Sequence, residues 1–364
     1  MKKRVLIAMS GGVDSSVAAA LLVEKGYDVI GVTMQLWDYS QNETSCDPNS
    51  KFDTCCSLDD VADARMVAHK LGIPFYVFDY QEDFKENVVD YFTEEYLKGR
   101  TPNPCVACNT FLKFDHLLDR AQRLGCDFVA TGHYAQICYD EVYGQYKLLK
   151  GLDPHKDQSY FLYSLTQERL SKTLFPVGGL SKAEVRALAE KYGLVNANKK
   201  ESMEICFIPN NDYAKFISKR VSENKIIKGE IRHEDGQLLG EHEGIHQFTV
   251  GQRKGLKISY PTPLYVTRID SSTGTVYAGN EQFLLRSGFK FKDFHSIRPH
   301  RFDCEYDVKI RYRSTPCKAT VVKNANSTYL HFKVPQKSVT PGQIAVLYYK
   351  DEVIGGGFID KVIQ

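Results

Sequence analysis

The segment TPNPCVACN, residues 101–109, places Cys105 and Cys108 two residues apart behind two prolines, in what reads as a turn. A thiol pair of this kind fits half of a zinc site, a redox couple, or a nucleophile whose partner lies elsewhere in the chain. Structural zinc normally takes four ligands, often as two close pairs. The other close pair here is Cys55 and Cys56, and adjacent cysteines are poorly shaped to share one tetrahedral ion. A thioredoxin-like pair would open a helix directly after the first strand, whereas this one falls between two long helical patterns. Cysteines are also often buried and inert, a reading that suits Cys126, Cys138, Cys304 and Cys317.

A second stretch able to do chemistry is MSGGVDSS, Met9–Ser16. It follows an apolar strand and opens an alanine-rich helix. Two glycines allow close backbone approach to an anion, and Ser10, Ser15 and Ser16 add hydroxyl donors. The N–H groups of the helix start point the same way. The spacing and lysine of G-x-x-x-x-G-K-[ST] are absent, and so is G-x-G-x-x-G.

The elements that must position these residues are legible in the hydrophobic pattern. RVLIAM, DVIGVTMQLW, IPFYVFDY and DFVATGHYA read as buried strands. SSVAAALLVEKG, SLDDVADARMVAHKLG, QEDFKENVVDYFTEEYLKG and TFLKFDHLLDRAQRLG read as helices, the second with an acidic capping pattern from Ser57 to Asp60. This alternation predicts a parallel sheet with helices on both faces. Ser40–Thr54 is polar and turn-rich and is expected to be a mobile loop. Beyond Pro209 the texture becomes all-β. GIHQFTVG, PLYVTRID, GTVYAG, YDVKIRYRS, KATVVK and TYLHFKV are short, β-branched or aromatic, and set apart by turn residues. The domains expected are 1–208, 209–283 and 284–364.

The chain has 364 residues, too many for a typical single core, and no apolar run long enough to span a membrane. Ten irregularly spaced cysteines in this length do not make a disulfide-framed secreted scaffold, so a reducing, cytoplasmic setting is expected. The net charge is only +2, but it is unevenly spread. Residues 1–208 hold 23 Lys and Arg against 29 Asp and Glu, and residues 209–364 hold 24 against 16. A basic rear fits a polyanion held there.

SGGVDSS resembles the PP-loop of the ATP pyrophosphatases, which cleave ATP to AMP and pyrophosphate while adenylating a substrate. GVTMQLWD, GRTPNPCVACN, FDHLL, ATGHYA, KDQSYFLY, ESMEICFIP and FTVGQRKGL, in this order, resemble the tRNA-specific 2-thiouridylases. IRYR and PGQIAVLY extend the resemblance into the last domain. It implies an α/β nucleotide-binding domain, a small β-rich central domain and a C-terminal β-barrel. The implied activity replaces the C2 oxygen of the wobble uridine with sulfur in tRNAs for glutamate, glutamine and lysine.

By the same resemblance Ala8, Met9, Ser10, Gly11, Gly12, Val13, Asp14 and Ser15 hold the ATP phosphates, and Asp14 helps position Mg2+ or pyrophosphate. Met34 and Gly132 line the nucleotide site. Cys206, 98 positions past Cys108, carries a persulfide supplied by a donor protein, and Cys108 acts as nucleophile. The two end as a transient disulfide. Asn103, Pro104 and Cys105 face the target base; some relatives carry aspartate at Cys105, which puts an acid–base role there in doubt. Lys156, Asp157, Gln158, Arg311 and Tyr312 are implied tRNA contacts. Cys105, Cys108 and Cys206 could alternatively hold an iron–sulfur cluster with one open iron. A different PP-loop adenylating enzyme would explain SGGVDSS but not the cysteines. A tRNA-binding scaffold would explain the basic rear but leave the loop without purpose.

Overall fold

The computed structural model describes residues 2–37, 58–199, 205–208, 210, 212–299, 304–324 and 327–364. The capping pattern at Ser57, the Ser40–Thr54 stretch and the Cys55–Cys56 pair lie outside the described residues. The chain divides into two compact units. One comprises Met1–Val88, Cys105–Asn211 and Asp351–Val353, and the other Val89–Pro104, Asp212–Lys350 and Ile354–Gln364.

The first unit is built on a parallel sheet. Strands β1 (Arg4–Ala8), β2 (Asp28–Gln35), β3 (Phe75–Asp79) and β4 (Phe128–Ala130) lie in the order β3-β2-β1-β4, with the short strand Thr173–Leu174 beyond β4. Central β1 is apolar without alternation because it is covered on both faces. Val5, Leu6 and Ile7 are fully buried, worth about 1.5–3 kcal/mol each. Helix α1 (Val13–Glu24) places Val17, Ala18, Ala19 and Leu22 in the same core. It stops where Gly26 takes a positive φ of 82°. Helix α2 (Leu58–Leu71) contributes Ala64, Val67 and Ala68. The chain leaves β1 towards β2 and β3 on one side, and β4 joins on the other. The β1/β4 crevice is therefore the topological switch point, where open α/β sheets bind ligands at the strand carboxyl ends.

The pattern misjudged some elements. DFVATGHYA forms a strand only over Phe128–Ala130, and an antiparallel hairpin, Ala135–Asp140 with Gln145–Lys150, follows it. The cysteine segment is not a turn. Pro104–Ala107 is a helical turn that continues as wider π-helical turns over Cys108–His116 and as α-helix over Leu117–Arg123.

The second unit is β-rich. Tyr265–Asp270, Thr275–Gly279, Gly229–His233 and Leu238–His242 form a four-stranded sheet in that order. It is closed over Ile231, Ile245, Phe248, Val266 and Val276. GIHQFTVG is not a strand there; Ile245–Gln247 is a 3-10 turn. The C-terminal strands form an antiparallel barrel. Its first strand, Leu285–Ser296, pairs with Ser327–Lys337 and also with Glu352–Ile363, which closes the barrel and removes its edges. Phe289, Val308, Val321, Leu330 and Leu347 fill it.

Candidate functional site

The phosphate loop runs from the end of β1 into α1. Met9 N–H donates to Val32 O (2.8 Å), continuing the β1–β2 ladder into the loop. Gly12 holds the cap position of α1, and no side chain caps the helix start. The first N–H groups of α1 therefore face the loop mouth with the positive end of the helix dipole behind them. Ser15 is buried, its hydroxyl donating to Gly12 O (3.0 Å) and accepting from Ser10 N–H (3.2 Å). Ser10 stays exposed. Gly11 has φ +71°, and a Cβ there would come within 2.3 Å of Asp60 O. A Cβ on Gly132, just past β4, would come within 2.6 Å of Ser15 N. The loop thus fits into the crevice only through two glycines. Met34 is buried on β2, beside Phe78 of β3.

Asp14 is engaged from two sides. Lys182 Nζ and Tyr134 Oη each donate to its Oδ1 at 2.7 Å. Both bonds fall on one oxygen, Oδ1. Lys182 begins the helix Lys182–Lys191, which carries a full capping box between Ser181 and Glu184. Buried Asn196 donates through Nδ2 to Gly11 O (2.8 Å) and Ser16 Oγ (2.9 Å). These three residues escaped sequence reading because their partners lie 120 to 185 positions away. The sequence signal present was the capping pattern around Lys182.

The cysteine helix is anchored along its length. Asn109 Nδ2 donates to Cys105 O (2.9 Å). Thr110 and Ser164 hydroxyls meet at 2.8 Å, and Arg169 pairs with Asp115. Phe114 packs 6.1 Å from His133, next to Gly132. His116 packs 5.9 Å from Tyr80, at the end of β3. Burial, with Lys113 adding to it, holds the His133 imidazole well below its ordinary pKa, so it is neutral. Cys105 is exposed and Cys108 half-buried, while Pro104 is buried and Asn103 half-buried.

Cys206 lies in a turn closed by Ile208 N–H to Ile205 O (3.0 Å) and is half-buried. Its neighbour Phe207 packs on Trp37 (6.3 Å) and Phe84 (5.6 Å), beyond the carboxyl ends of β2 and β3. The PP-loop, Gly132, the cysteine helix and the Cys206 turn are thus all referred to the same carboxyl edge of one sheet. Among the described residues no group of three His, Cys, Asp or Glu side chains is arranged to hold a metal ion. Cys105, Cys108 and Cys206 are all described, so their placement does not fit a three-thiolate cluster. Cys126 is buried, and burial pushes the Cys317 thiol up to about 11. Cys138, expected among the buried thiols, is exposed.

The expected tRNA contacts are placed unevenly. Lys156 is half-exposed. Asp157 is buried, its Oδ1 accepting from Gly151 and Ser159 N–H (3.0 and 3.1 Å). Gln158 clamps Tyr134, accepting its N–H at Oε1 (3.0 Å) and donating N–H to its carbonyl (2.9 Å). In the other unit, Arg311 Nη2 donates to Val250 O, Ser338 O and Thr340 Oγ1 (3.1, 3.3 and 2.7 Å). Tyr312 is half-buried beneath Lys309, 5.7 Å from its ring centroid.

Comparison with known proteins covers the chain from end to end. The tRNA methyl transferase HUP domain matches residues 3–210, the tRNA methyl transferase PRC-barrel domain 214–280, and the aminomethyltransferase beta-barrel domain 286–359. A protein of Geotalea uraniireducens named tRNA-specific 2-thiouridylase MnmA is 51% identical, over 100% of this chain and 96% of its own. Another of that name from Geobacter metallireducens is 49% identical, over 100% and 98%. One from Carboxydothermus hydrogenoformans is 48% identical, over 99% and 98%.

Proposed function

The chain belongs to the tRNA-specific 2-thiouridylase family, and from that premise we propose that it exchanges the C2 oxygen of a tRNA wobble uridine for sulfur, using ATP. The observation that carries this reading is the common carboxyl edge of the sheet, which serves both the phosphate loop and the two cysteine segments. The tRNAs are those for glutamate, glutamine and lysine, and the reaction belongs in the cytoplasm, where they are used. Residues 1–208 supply the chemistry; 209–283 and 284–364 supply the central module and the basic barrel.

Ala8–Ser15 hold the triphosphate on the N–H groups of α1, with Met34 and Gly132 bordering the nucleotide. Asp14 Oδ2 is the oxygen suited to Mg2+, which supplies charge neutralisation for the phosphates. The uridine C2 oxygen attacks the α-phosphorus, the bond to the β-phosphate oxygen breaks, and pyrophosphate leaves. Lys182, held on Asp14 beside a loop that has no lysine of its own, would offset that departing charge.

The adenylated C2 then accepts the terminal sulfur of a Cys206 persulfide, and AMP leaves. The Cys108 thiolate attacks Cys206 Sγ and breaks the S–S bond. Sulfane sulfur is reduced to the thiocarbonyl level while two thiols become a disulfide, so electrons balance. Release of sulfide before attack ends at the same disulfide. A reductant reopens it, and a separate persulfide-bearing protein reloads Cys206. Asn103, Pro104 and Cys105 border the everted base. Lys156, Arg311 and Tyr312 meet the tRNA, and Asp157 and Gln158 shape the loop that presents Lys156.

The test loads the protein with a persulfide donor and traps sulfane sulfur by alkylation. Cys206→Ser should lose the trapped persulfide. Cys108→Ser should retain it and make at least a hundredfold less 2-thiouridine. Cys105→Asp should keep substantial activity. Full activity in Cys206→Ser would refute the relay.

A further inference from the structure

The peptide between Gly11 and Gly12 is the freest unit of the phosphate loop, and the residue that orients it has no role in the chemistry above. Gly11 takes φ +71°, and Gly12 lies just outside α1 with φ −83° and ψ 159°. Neither glycine has a Cβ to oppose rotation of the peptide that joins them. The next peptide is different. Gly12 O accepts from Ser16 N–H (3.3 Å) and from the Ser15 and Ser16 hydroxyls (3.0 Å each), which fixes it as part of the first helical turn. Gly11 O lies outside that turn. Among the described residues it is Asn196 Nδ2 that holds it, at 2.8 Å, while also donating to Ser16 Oγ at 2.9 Å. A carbonyl can only accept, so the Asn196 amide must turn its nitrogen towards Gly11. Its buried Oδ1 is then left without a donor among the described residues, an arrangement that buried polar groups normally avoid.

We infer, on the reading that this loop holds ATP, that Asn196 is a positioning residue for the phosphates: by holding the Gly11 carbonyl inward it turns the Gly12 N–H outward, onto the bound anion. The physical reason is the planarity of the peptide. Peptide bonds among the described residues are all trans. In a trans peptide the C=O and the N–H point to opposite sides of the bond. Asn196 is only 4% exposed, so the carbonyl is drawn into the protein and the N–H faces the other way. A rotated peptide would set the negative end of its dipole against the phosphates. Val13 N–H needs no such latch, because the helix itself directs it.

The experiment measures equilibrium binding of ATP, inorganic tripolyphosphate and adenosine, without tRNA, to the wild type, Asn196→Leu and Asn196→Ala. Leucine is close to asparagine in shape and donates nothing. Asn196→Leu should bind ATP and tripolyphosphate roughly three- to tenfold more weakly, the worth of one well-aimed hydrogen bond. Adenosine, which carries no phosphate, should bind within about 1.5-fold of the wild type, since the latch acts on the phosphate side alone. In tRNA-dependent pyrophosphate release, KM for ATP should rise by the same factor with kcat within about twofold, as loss of uniform binding requires. A change that merely loosened the site would weaken all three ligands together. An equal loss for adenosine therefore overturns the inference, and so does a tripolyphosphate affinity within twofold of the wild type. If Asn196→Leu does not fold, Asn196→Ala, which only deletes the amide, decides on the same criteria. Failure in the variants alone leaves the ATP reading standing; a wild type that binds neither ATP nor tripolyphosphate overturns both.

Discussion

Asp14 lies in the proposed nucleotide site, and its environment dictates what substitutions should do. Lys182 and Tyr134 both hold its Oδ1. Asp14→Ala removes the carboxylate that faces a lysine whose side chain is only 11% exposed. The expected outcome is loss of tRNA-dependent pyrophosphate release by at least a hundredfold, with tRNA affinity changed less than threefold if, as proposed, the basic barrel carries that affinity. Filter binding beside a pyrophosphate assay checks both. His133 gives a pH prediction. Its folded pKa is depressed by burial, while the unfolded value is about 6.5. Below that pH the unfolded chain takes a proton that the folded site refuses. Stability is therefore full above about pH 6.5 and falls as pH drops, by up to about 1.4 kcal/mol per pH unit from this one group. His242 and His246 are depressed by burial too and act with the same sign. Urea unfolding at pH 7.5 and 5.5 should thus show a smaller loss in His133→Asn than in the wild type, but not a zero loss.

At the scale of elements, the site depends on α1 and the turn after β4 approaching more closely than side chains allow. Gly132→Ala would drive a methyl group to 2.6 Å from Ser15 N. Backbone cannot yield as a flexible side chain does, so a cost of about 1–3 kcal/mol is expected, appearing as a lowered Tm. ATP protection against thermal unfolding should be lost as well, because the displaced Ser15 N–H belongs to the helix start proposed to bind phosphate. Unchanged ATP protection would mean that the phosphates bind elsewhere. Such close approaches explain what the sequence could reveal. SGGVDSS and the apolar strands are local patterns, and both were legible. The cysteine segment was misread because its two prolines suggested a turn. Pro104 instead opens a helical turn, where its missing N–H costs nothing. The Ala135–Lys150 hairpin was missed behind a strand that ended earlier than its apolar residues implied. Asn196 could not be found from pattern at all, and the capping pattern at Ser181 marked only a helix start at Lys182, since the meaning of both comes from partners on distant segments.

Across the whole molecule, charge separates the acidic residues 1–208 from the basic remainder, and this predicts how tRNA binding responds to salt. Removing one cation that meets a phosphate should lower the slope of log K against log salt by roughly 0.7–0.9. Arg311 and Arg313 make a discriminating pair. Arg311 is tied to Val250 O, Ser338 O and Thr340 Oγ1, so its guanidinium also braces its own unit. Arg313, two positions on, is exposed. Arg311→Ala should therefore weaken tRNA binding and also lower the Tm, because two carbonyls and a hydroxyl are deprived of a charged donor, on the order of 1–3 kcal/mol. Arg313→Ala should reduce the salt slope with a smaller fall in Tm than Arg311→Ala. Titrations at four salt concentrations with a thermal melt of each variant separate the two roles. An Arg311→Ala protein with lowered Tm but an unaltered slope would assign that residue to architecture alone, and the phosphate contact would pass to its exposed neighbour.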